Sequence, residues 1–351
     1  MEWERERPLS ACFNMVLLLE FKGLQVQEFF IRILLVQPYH KSNVKTHGRI
    51  YMSQLTLPLM AALTPPRYEI AVVDENVEPI DFEADIDVAA ITALTPTAPR
   101  AYEIADEFRR RGRKVVLGGV HPSLMADEAG RHADAVVVGE AEETWPQLLT
   151  DLENGVMKPI YTADHKPDLT GLPIPRRDLM KEDAYLNIPK VETSRGCPFR
   201  CSFCSTTVFY GPRMRFRPVE EVVAEVKAAN HRFVFFTDNN ITANKSYAKR
   251  LFKALEPLGI HWLSQGSIDM ADDVELMAMA QASGCVGMLV GFESLSEENI
   301  AEMGKQASNR DVEYEDKSQI VHKHKSGLSG CFVFGFVVDD HIVFKRTVEF
   351  V

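Results

Sequence analysis

The sequence predicts an α/β protein in two parts: an N-terminal doubly wound parallel sheet, then a second series of βα units. Three observations carry this prediction. Short apolar runs alternate with helical periodicities from Ile31 to about residue 155. Pro159, Pro167, Pro173, Pro175 and Pro189 then break the pattern, so residues 156–190 read as an irregular linker. Beyond it the alternation resumes, with polar residues at the ends of the apolar runs, where parallel α/β sheets and barrels build their sites.

Residues 1–30 match nothing downstream and read as an irregular extension. In the first part, strands are expected at Ile31–Val36, Tyr68–Val73, Val88–Ile91, Lys114–Leu117 and Ala135–Val138. A helix is expected around Leu55 to Leu63, and another at Ala98–Arg111, where Tyr102, Ala105 and Phe108 fall at helical spacing. The run Gly139-Glu-Ala-Glu-Glu-Thr-Trp145 is expected to open a further helix with acids in its first turn, where the dipole favours them.

In the second part (residues 191–351), strands are expected at Val191–Ser194, Phe233–Thr237, Ile260–Ser267, Val286–Phe292 and Gly330–Val337. Helices are expected at Pro218–Ala229, Ser246–Leu255 and Asp272–Ala282, and one begins at Ser296. Pro218 suits a first helical turn, and Val219, Val222, Val223 and Val226 share one face behind it.

At 351 residues the chain is long enough for two cores, and 46% hydrophobic with 25% charged residues is ordinary for a globular protein. A net charge of −11 argues against a broad nucleic-acid-binding surface. Arg213, Arg215 and Arg217 read either as a local basic patch or as a solvated loop. Six cysteines are too few for a disulfide scaffold and suit a reduced, cytoplasmic setting. Cys285 and Cys331 begin apolar runs and read as buried small hydrophobes; Cys12 stands alone. The apolar stretch Met15 to Leu19 is too short to span a bilayer.

The chemistry concentrates in Cys197, Cys201 and Cys204, a C-x3-C-x2-C set. Structural zinc needs four ligands, and no second pair accompanies these, while His231 and His261 lack ligand spacing. A cubane iron–sulfur cluster held by three thiolates keeps one iron open to a small molecule.

With Arg-Gly before the first cysteine and Phe203 before the last, this run resembles the radical S-adenosylmethionine (SAM) superfamily. Gly291-Phe-Glu-Ser-Leu-Ser296, Met303-Gly-Lys305 and Gly330-Cys-Phe-Val-Phe-Gly-Phe336 extend the likeness to the subgroup with an N-terminal cobalamin (B12)-binding-like domain, over residues 31–351. The resemblance implies a partial (βα)6 barrel with a 4Fe–4S cluster on Cys197, Cys201 and Cys204. The amino and carboxylate groups of SAM would chelate the fourth iron, and its reductive cleavage would yield a 5′-deoxyadenosyl radical. It places Phe203 near the adenine and Asp238 and Asn239 near the methionine amino group, although the family's Gly-Gly-Glu-like motif is missing there. Ser267 and Asp269 become candidates for the ribose hydroxyls and Glu293 for a further polar contact. Lys305 would neutralise carboxylate charge. Catalytic residues beyond these cofactor contacts are not implied.

For the N-terminal sheet the resemblance rests on Leu117-Gly-Gly-Val-His-Pro122 and Val138-Gly-Glu-Ala-Glu-Glu143. Gly118 and Gly119 would let backbone approach the corrin ring. The Asp-x-His-x-x-Gly motif that supplies an axial histidine elsewhere is absent, and His121, before proline, reads as a loop residue. The implied activity is cobalamin-dependent methylation, or a related radical transformation, of a small molecule or lipid, with an electron donor such as flavodoxin or ferredoxin. Transfer of a methylthio group to tRNA is disfavoured by the acidic charge and the missing second cysteine set. The likeness thins between Lys305 and Gly330, and Val351 falls inside the helix after the fifth strand. The sequence therefore also reads as a truncated, catalytically inactive cofactor-binding remnant.

Overall fold

The computed structural model describes residues 31–39, 52–186, 188–309 and 314–351; the N-terminal extension and Cys12 lie outside the described residues. Residues 31–351 form one compact unit carrying two parallel sheets.

The first sheet follows β1 (Arg32–Gln37), α1 (Thr56–Leu63), β2 (Glu69–Asp74), β3 (Val88–Thr92), α2 (Ala98–Arg110), β4 (Lys114–Gly118), two short helices α3 (Val120–Leu124) and α4 (Ala126–Ala129), β5 (Ala135–Val138), α5 (Thr144–Glu153) and β6 (Ile160–Thr162). Its strands are all parallel in the order β2-β1-β3-β4-β5-β6. Strand direction explains the near-continuous apolar runs. Ile33 and Leu35 enter one core with Leu57 of α1 and Trp145, Leu148 and Leu149 of α5. Leu34 and Val36 enter the opposite core with Ala101, Ile104, Ala105 and Phe108 of α2. A sheet covered on both faces is the doubly wound arrangement, and its strand order reverses between β1 and β3.

The second sheet begins with β7 (Lys190–Val191). A ribbon of β8 (Ser194–Arg195) and β9 (Arg215–Phe216) follows, enclosing α6 (Ser205–Tyr210). Then come α7 (Val219–Ala229), β10 (Phe233–Phe236), α8 (Lys245–Leu255), β11 (His261–Gly266), α9 (Val274–Ala282), β12 (Cys285–Glu293), α10 (Glu297–Glu302), α11 (Gln306–Asn309), α12 (Tyr314–Lys323), β13 (Gly327–Phe332) and α13 (Val343–Phe350). The strands are parallel in the order β13-β12-β11-β10-β7, so each βα unit adds beside the last. One core, including Trp262, Phe236, Phe252 and Leu251, lies between the strands and α7, α8 and α9. Right-handed crossovers repeated in one direction keep those helices on one side, which makes a partial barrel.

The structure corrects several expectations. The proline-rich segment is not wholly irregular: Ile160–Thr162 pairs with β5, because Pro159 ends before the paired residues begin. The expected strand Val191–Ser194 splits into β7 and β8, which belong to different sheets. The last strand starts at Gly327 rather than Gly330. Its pairing with Gly287–Glu293 sets its limits, and the aromatic run Phe334–Phe336 lies beyond it. Cys331 sits exposed on that edge strand, whereas Cys285 is buried as expected. His121 lies within α3 rather than a loop, with its ring nitrogens 3.2 Å from Thr95 Oγ1 and 3.3 Å from Glu128 Oε1. Arg213 is exposed, but Arg217 is neither a basic patch nor solvated: it is buried against Glu225, and Arg215 is partly buried against Glu140.

Candidate active site

The three cysteines lie on the loop between β8 and β9. Gly196, at the loop's root, has φ +91°, and a Cβ there would sit 2.6 Å from the Arg213 carbonyl oxygen. Only glycine permits this closure of the ribbon. On its far side the loop is tied down by the Ser202 N–H, which donates to the Met303 carbonyl at 2.9 Å. All three thiols are free and partly buried. Burial pushes the Cys197 and Cys201 thiols up, against the lowering influence of the nearby Lys305 cation. Among the described residues, no three His, Cys, Asp or Glu side chains converge on a single ion. Thiolates that each bind a different iron of a cubane need not converge in that way.

Around this loop stand the ends of the barrel strands. Glu293, closing β12, is 7% exposed and has φ +65°. A non-glycine residue in that region costs about 1–3 kcal/mol and persists only where its surroundings hold it. Here the hold is Lys305, whose Nζ donates to Glu293 Oε1 at 2.5 Å and to the Gly291 carbonyl at 2.9 Å. Lys305 is therefore not a solvated lysine but one member of a buried ion pair.

Asp238, after β10, is fully buried. One carboxylate oxygen accepts from the Thr193 hydroxyl at 2.7 Å and from the Ser194 hydroxyl, and the other from the Thr193 N–H at 3.1 Å. It braces the segment leading into the cysteine loop, while its neighbour Asn239 is half-buried. Ser267 accepts from Asn240 Nδ2 at 2.9 Å. Asp269 keeps a buried oxygen, Oδ1, with no hydrogen-bond partner among the described residues. Phe203 is 47% exposed, a large apolar face left open beside the cysteines.

A cavity of about 350 Å³ lies between the carboxyl ends of the first sheet and the start of the second. Gly118, Gly119 and Glu140 form part of one wall; Glu192, Arg195 and Tyr210 form part of the other. Gly119 has φ +96°, and a Cβ there would lie 2.7 Å from Thr92 Oγ1 and 2.8 Å from the Ala93 carbonyl oxygen. Glycine at this position lets the β4 end pack directly against the β3 end, at the edge of a cavity lined largely by apolar side chains where doubly wound sheets bind ligands.

Across this cavity runs a buried ion network. Arg195, with its side chain 6% exposed, reaches Glu140 at 2.7 Å, Glu142 at 2.6 Å and Glu192 at 2.7 Å. Arg215 forks onto Glu140 at 2.7 and 2.9 Å. Glu140 and Glu142 are two of the acids expected in the first turn of a helix; α5 starts later, at Thr144, and they serve Arg195 instead. Burial pushes the Glu192 carboxyl up, against the pull of Arg195.

The family follows from comparison. The radical SAM superfamily profile matches residues 191–337, and that of the B12 binding domain matches residues 58–149. Bacteriochlorophyllide d C-12(1)-methyltransferase of Chlorobaculum tepidum is 33% identical over 331 residues, covering 91% of this chain and 72% of that protein. The chain belongs to the cobalamin-dependent radical SAM methyltransferases. A second member of this family, bacteriochlorophyllide d C-8(2)-methyltransferase of the same organism, is 32% identical, covering 85% of this chain and 70% of its own length. The radical SAM methyltransferase TsrM from Kitasatospora setae, solved with cobalamin and a 4Fe–4S cluster, shares the fold: TM-score 0.72 at 18% identity, over 91% of this chain and 70% of that one.

The family's cofactors are a 4Fe–4S cluster, SAM and cobalamin, and the residues present suit them. Three free, half-buried thiols beside a lysine are a donor set for the cluster, and a largely apolar cavity at the carboxyl ends of a doubly wound sheet suits a large planar ring. Among the described residues no helix is long and apolar enough to cross a membrane. Sequence reasoning missed Arg195, Arg215 and the role of Glu140 and Glu142. The available signal was two charged motifs, each at the end of an otherwise apolar strand, where a buried charge demands a partner.

Proposed function

We propose that the protein methylates an unactivated carbon of a planar, largely apolar small molecule of the tetrapyrrole class. The observation that carries this reading is the apolar lining of the cavity, which includes Leu55, Leu59, Met60 and Leu94. Leu94, which lines the cavity, is about half exposed, as are Leu124 at the end of α3, Met125 after it and Phe203 on the cysteine loop, and Val208 of α6, on which α3 packs, is 69% exposed. Solvent-facing apolar side chains gathered around a cleft mark a binding surface for an apolar partner. The two Chlorobaculum relatives, named for methylation of bacteriochlorophyllide d, support the same class.

When bound, the cofactors would supply the radical and methyl-carrying chemistry, with a reductant such as flavodoxin or ferredoxin. In this reading the chain's residues hold, orient and shield. Cys197, Cys201 and Cys204 ligate the cluster. The Glu293–Lys305 pair sets the charge beside it and offers a carboxylate toward the SAM amino group. Asn239 is the polar side chain at the end of β10 left free to meet SAM, since Asp238 is committed to Thr193 and Ser194. The unpartnered Asp269 oxygen and Ser267 would receive the ribose hydroxyls, and the open face of Phe203 would cover the adenine and exclude water. Gly118 and Gly119 would lie against the corrin.

The test is anaerobic reconstitution with iron, sulfide and cobalamin, followed by SAM, reductant and a bacteriochlorophyllide. A product heavier by one methylene, absent from the Cys197→Ala variant, is the expected result. Methylation of a lipid but not of the tetrapyrrole would overturn the substrate class. Release of neither 5′-deoxyadenosine nor S-adenosylhomocysteine by a fully loaded protein would overturn the activity.

A further inference from the structure

The cavity wall contains one buried polar atom with no hydrogen-bond partner among the described residues. The Glu142 side chain lines the cavity and is only 10% exposed. One of its oxygens, Oε1, accepts from Arg195 at 2.6 Å; the other, Oε2, is buried without a hydrogen-bond partner. A buried carboxylate oxygen left without a donor is strongly disfavoured unless a ligand brings one.

The surroundings define that ligand's chemistry. Three carboxylates, Glu140, Glu142 and Glu192, face two guanidiniums, Arg195 and Arg215, and the Lys166 ammonium stands beside Gly139 with its Nζ on the Phe209 carbonyl, so these charges balance and the open acceptor of Glu142 decides what can bind there. Lys190 also lines the cavity, with Asp74 as its electrostatic partner. An anionic group brought to Glu142 would meet repulsion and would offer an acceptor where a donor is required. A neutral N–H donor satisfies both conditions. The rim of a corrin ring carries primary carboxamides, which are such donors, and their hydrolysed forms are carboxylates.

The geometry points to Glu142 as the corrin-amide receptor of this cavity, selecting fully amidated cobalamin over corrinoids in which the facing side chain is a free acid. The inference rests on cobalamin occupying this cavity. It goes beyond that reading by assigning discrimination among corrinoids to one side chain of the cavity lining.

Equilibrium dialysis with hydroxocobalamin and with the separated cobalamin monocarboxylates tests it, using the full chain with its cluster reconstituted. Wild-type protein is expected to bind at least one monocarboxylate about tenfold more weakly than hydroxocobalamin at neutral pH. Glu142→Gln keeps the size and one acceptor but removes the charge. It should weaken hydroxocobalamin binding severalfold and bring that monocarboxylate to within about twofold of it, with iron content and circular dichroism unchanged. Equal wild-type affinity for every form, or undiminished discrimination in Glu142→Gln, would overturn the assignment while leaving cobalamin binding intact. A wild-type protein that takes up no corrinoid would overturn the cavity's assignment to cobalamin, and this inference with it.

Discussion

Removing the Arg195 guanidinium should do more damage than removing any one of its partners. Its Nε and Nη1 atoms serve three carboxylates from two segments, Glu140 and Glu142 after β5 and Glu192 after β7, and the side chain is 6% exposed. In Arg195→Ala, Glu140 keeps its fork from Arg215, but Glu142 and Glu192 lose the cation that faces them. Breaking a buried pair by deleting one partner costs about 3–5 kcal/mol, against less than about 1 kcal/mol for exposed pairs. The expected loss for Arg195→Ala is thus about 3–5 kcal/mol. Arg195→Lys restores one charge but not the two-nitrogen geometry, and should lose about 1.5–3 kcal/mol. Urea titration of the apo protein, followed by far-UV circular dichroism and by tryptophan fluorescence, reads these values where the two transitions coincide. The pH dependence has a definite sign. Burial raises the Glu192 carboxyl in the folded state, so the fold binds that proton more tightly than the unfolded chain, where the group titrates near about 4.3. Its contribution is present below that value and is lost as pH rises through the raised one. Removing Arg195 raises it further, so the variant's deficit should grow from acid toward neutral pH. A loss below about 1 kcal/mol, independent of pH, would refute the buried-network reasoning.

Other perturbations probe the same architecture. Gly196→Ala forces a left-handed conformation costing about 1–2 kcal/mol and drives a Cβ into the Arg213 carbonyl. Iron loading after reconstitution should fall by more than half while far-UV circular dichroism holds; full loading would show that the ribbon tolerates the shift. Trp262→Ala, at a fully buried position beside Phe236 and Phe252, should cost about 3–5 kcal/mol in the same urea titration. Burial pushes the Cys285 thiol up to about 11, leaving about one thiolate in a thousand at pH 8. Alkylation of the native protein at that pH should therefore label exposed Cys331 and spare Cys285, and the reverse order by peptide mass mapping would contradict the burial.

The first sheet was legible because every one of its central strands is buried on both faces. Ile33 to Val36 must be apolar without alternation, and such runs between helical periodicities leave few alternatives. The cysteine triad was legible for a chemical reason, since few functions require thiols at that spacing. β6 was hidden because Ile160 and Thr162 are exposed and only Tyr161 is buried, so a three-residue edge strand carries almost no pattern. β13 was misplaced for the same reason: Gly327, Ser329, Gly330 and Cys331 are exposed, and two of the aromatics that drew attention, Phe334 and Phe336, lie past its end. The ion network was illegible because pairing is a property of space. Glu140 and Arg195 are separated by 55 residues, and neither motif announces its partner.

The two sheets solve different problems at one place. The first reverses its strand order between β1 and β3, which opens a crevice at the carboxyl ends. The second never reverses, so its strand ends line up along one rim instead: Asp238 after β10, Ser267 and Asp269 after β11, Glu293 ending β12. The proposed methylation would need the crevice and the rim held in fixed register. Packed apolar surface alone would allow small sliding motions, whereas charge-assisted hydrogen bonds have narrow geometry. Arg195 stands two residues before Cys197, and its partners Glu140 and Glu142 stand beside Gly139, at the mouth of the crevice. The network thus joins the root of the cysteine loop to the wall of the cavity through Arg195, with Arg215 of β9 adding a second tie to Glu140. That placement explains why so many charges are buried where apolar residues would be cheaper to desolvate: what they specify is register, and stability is secondary.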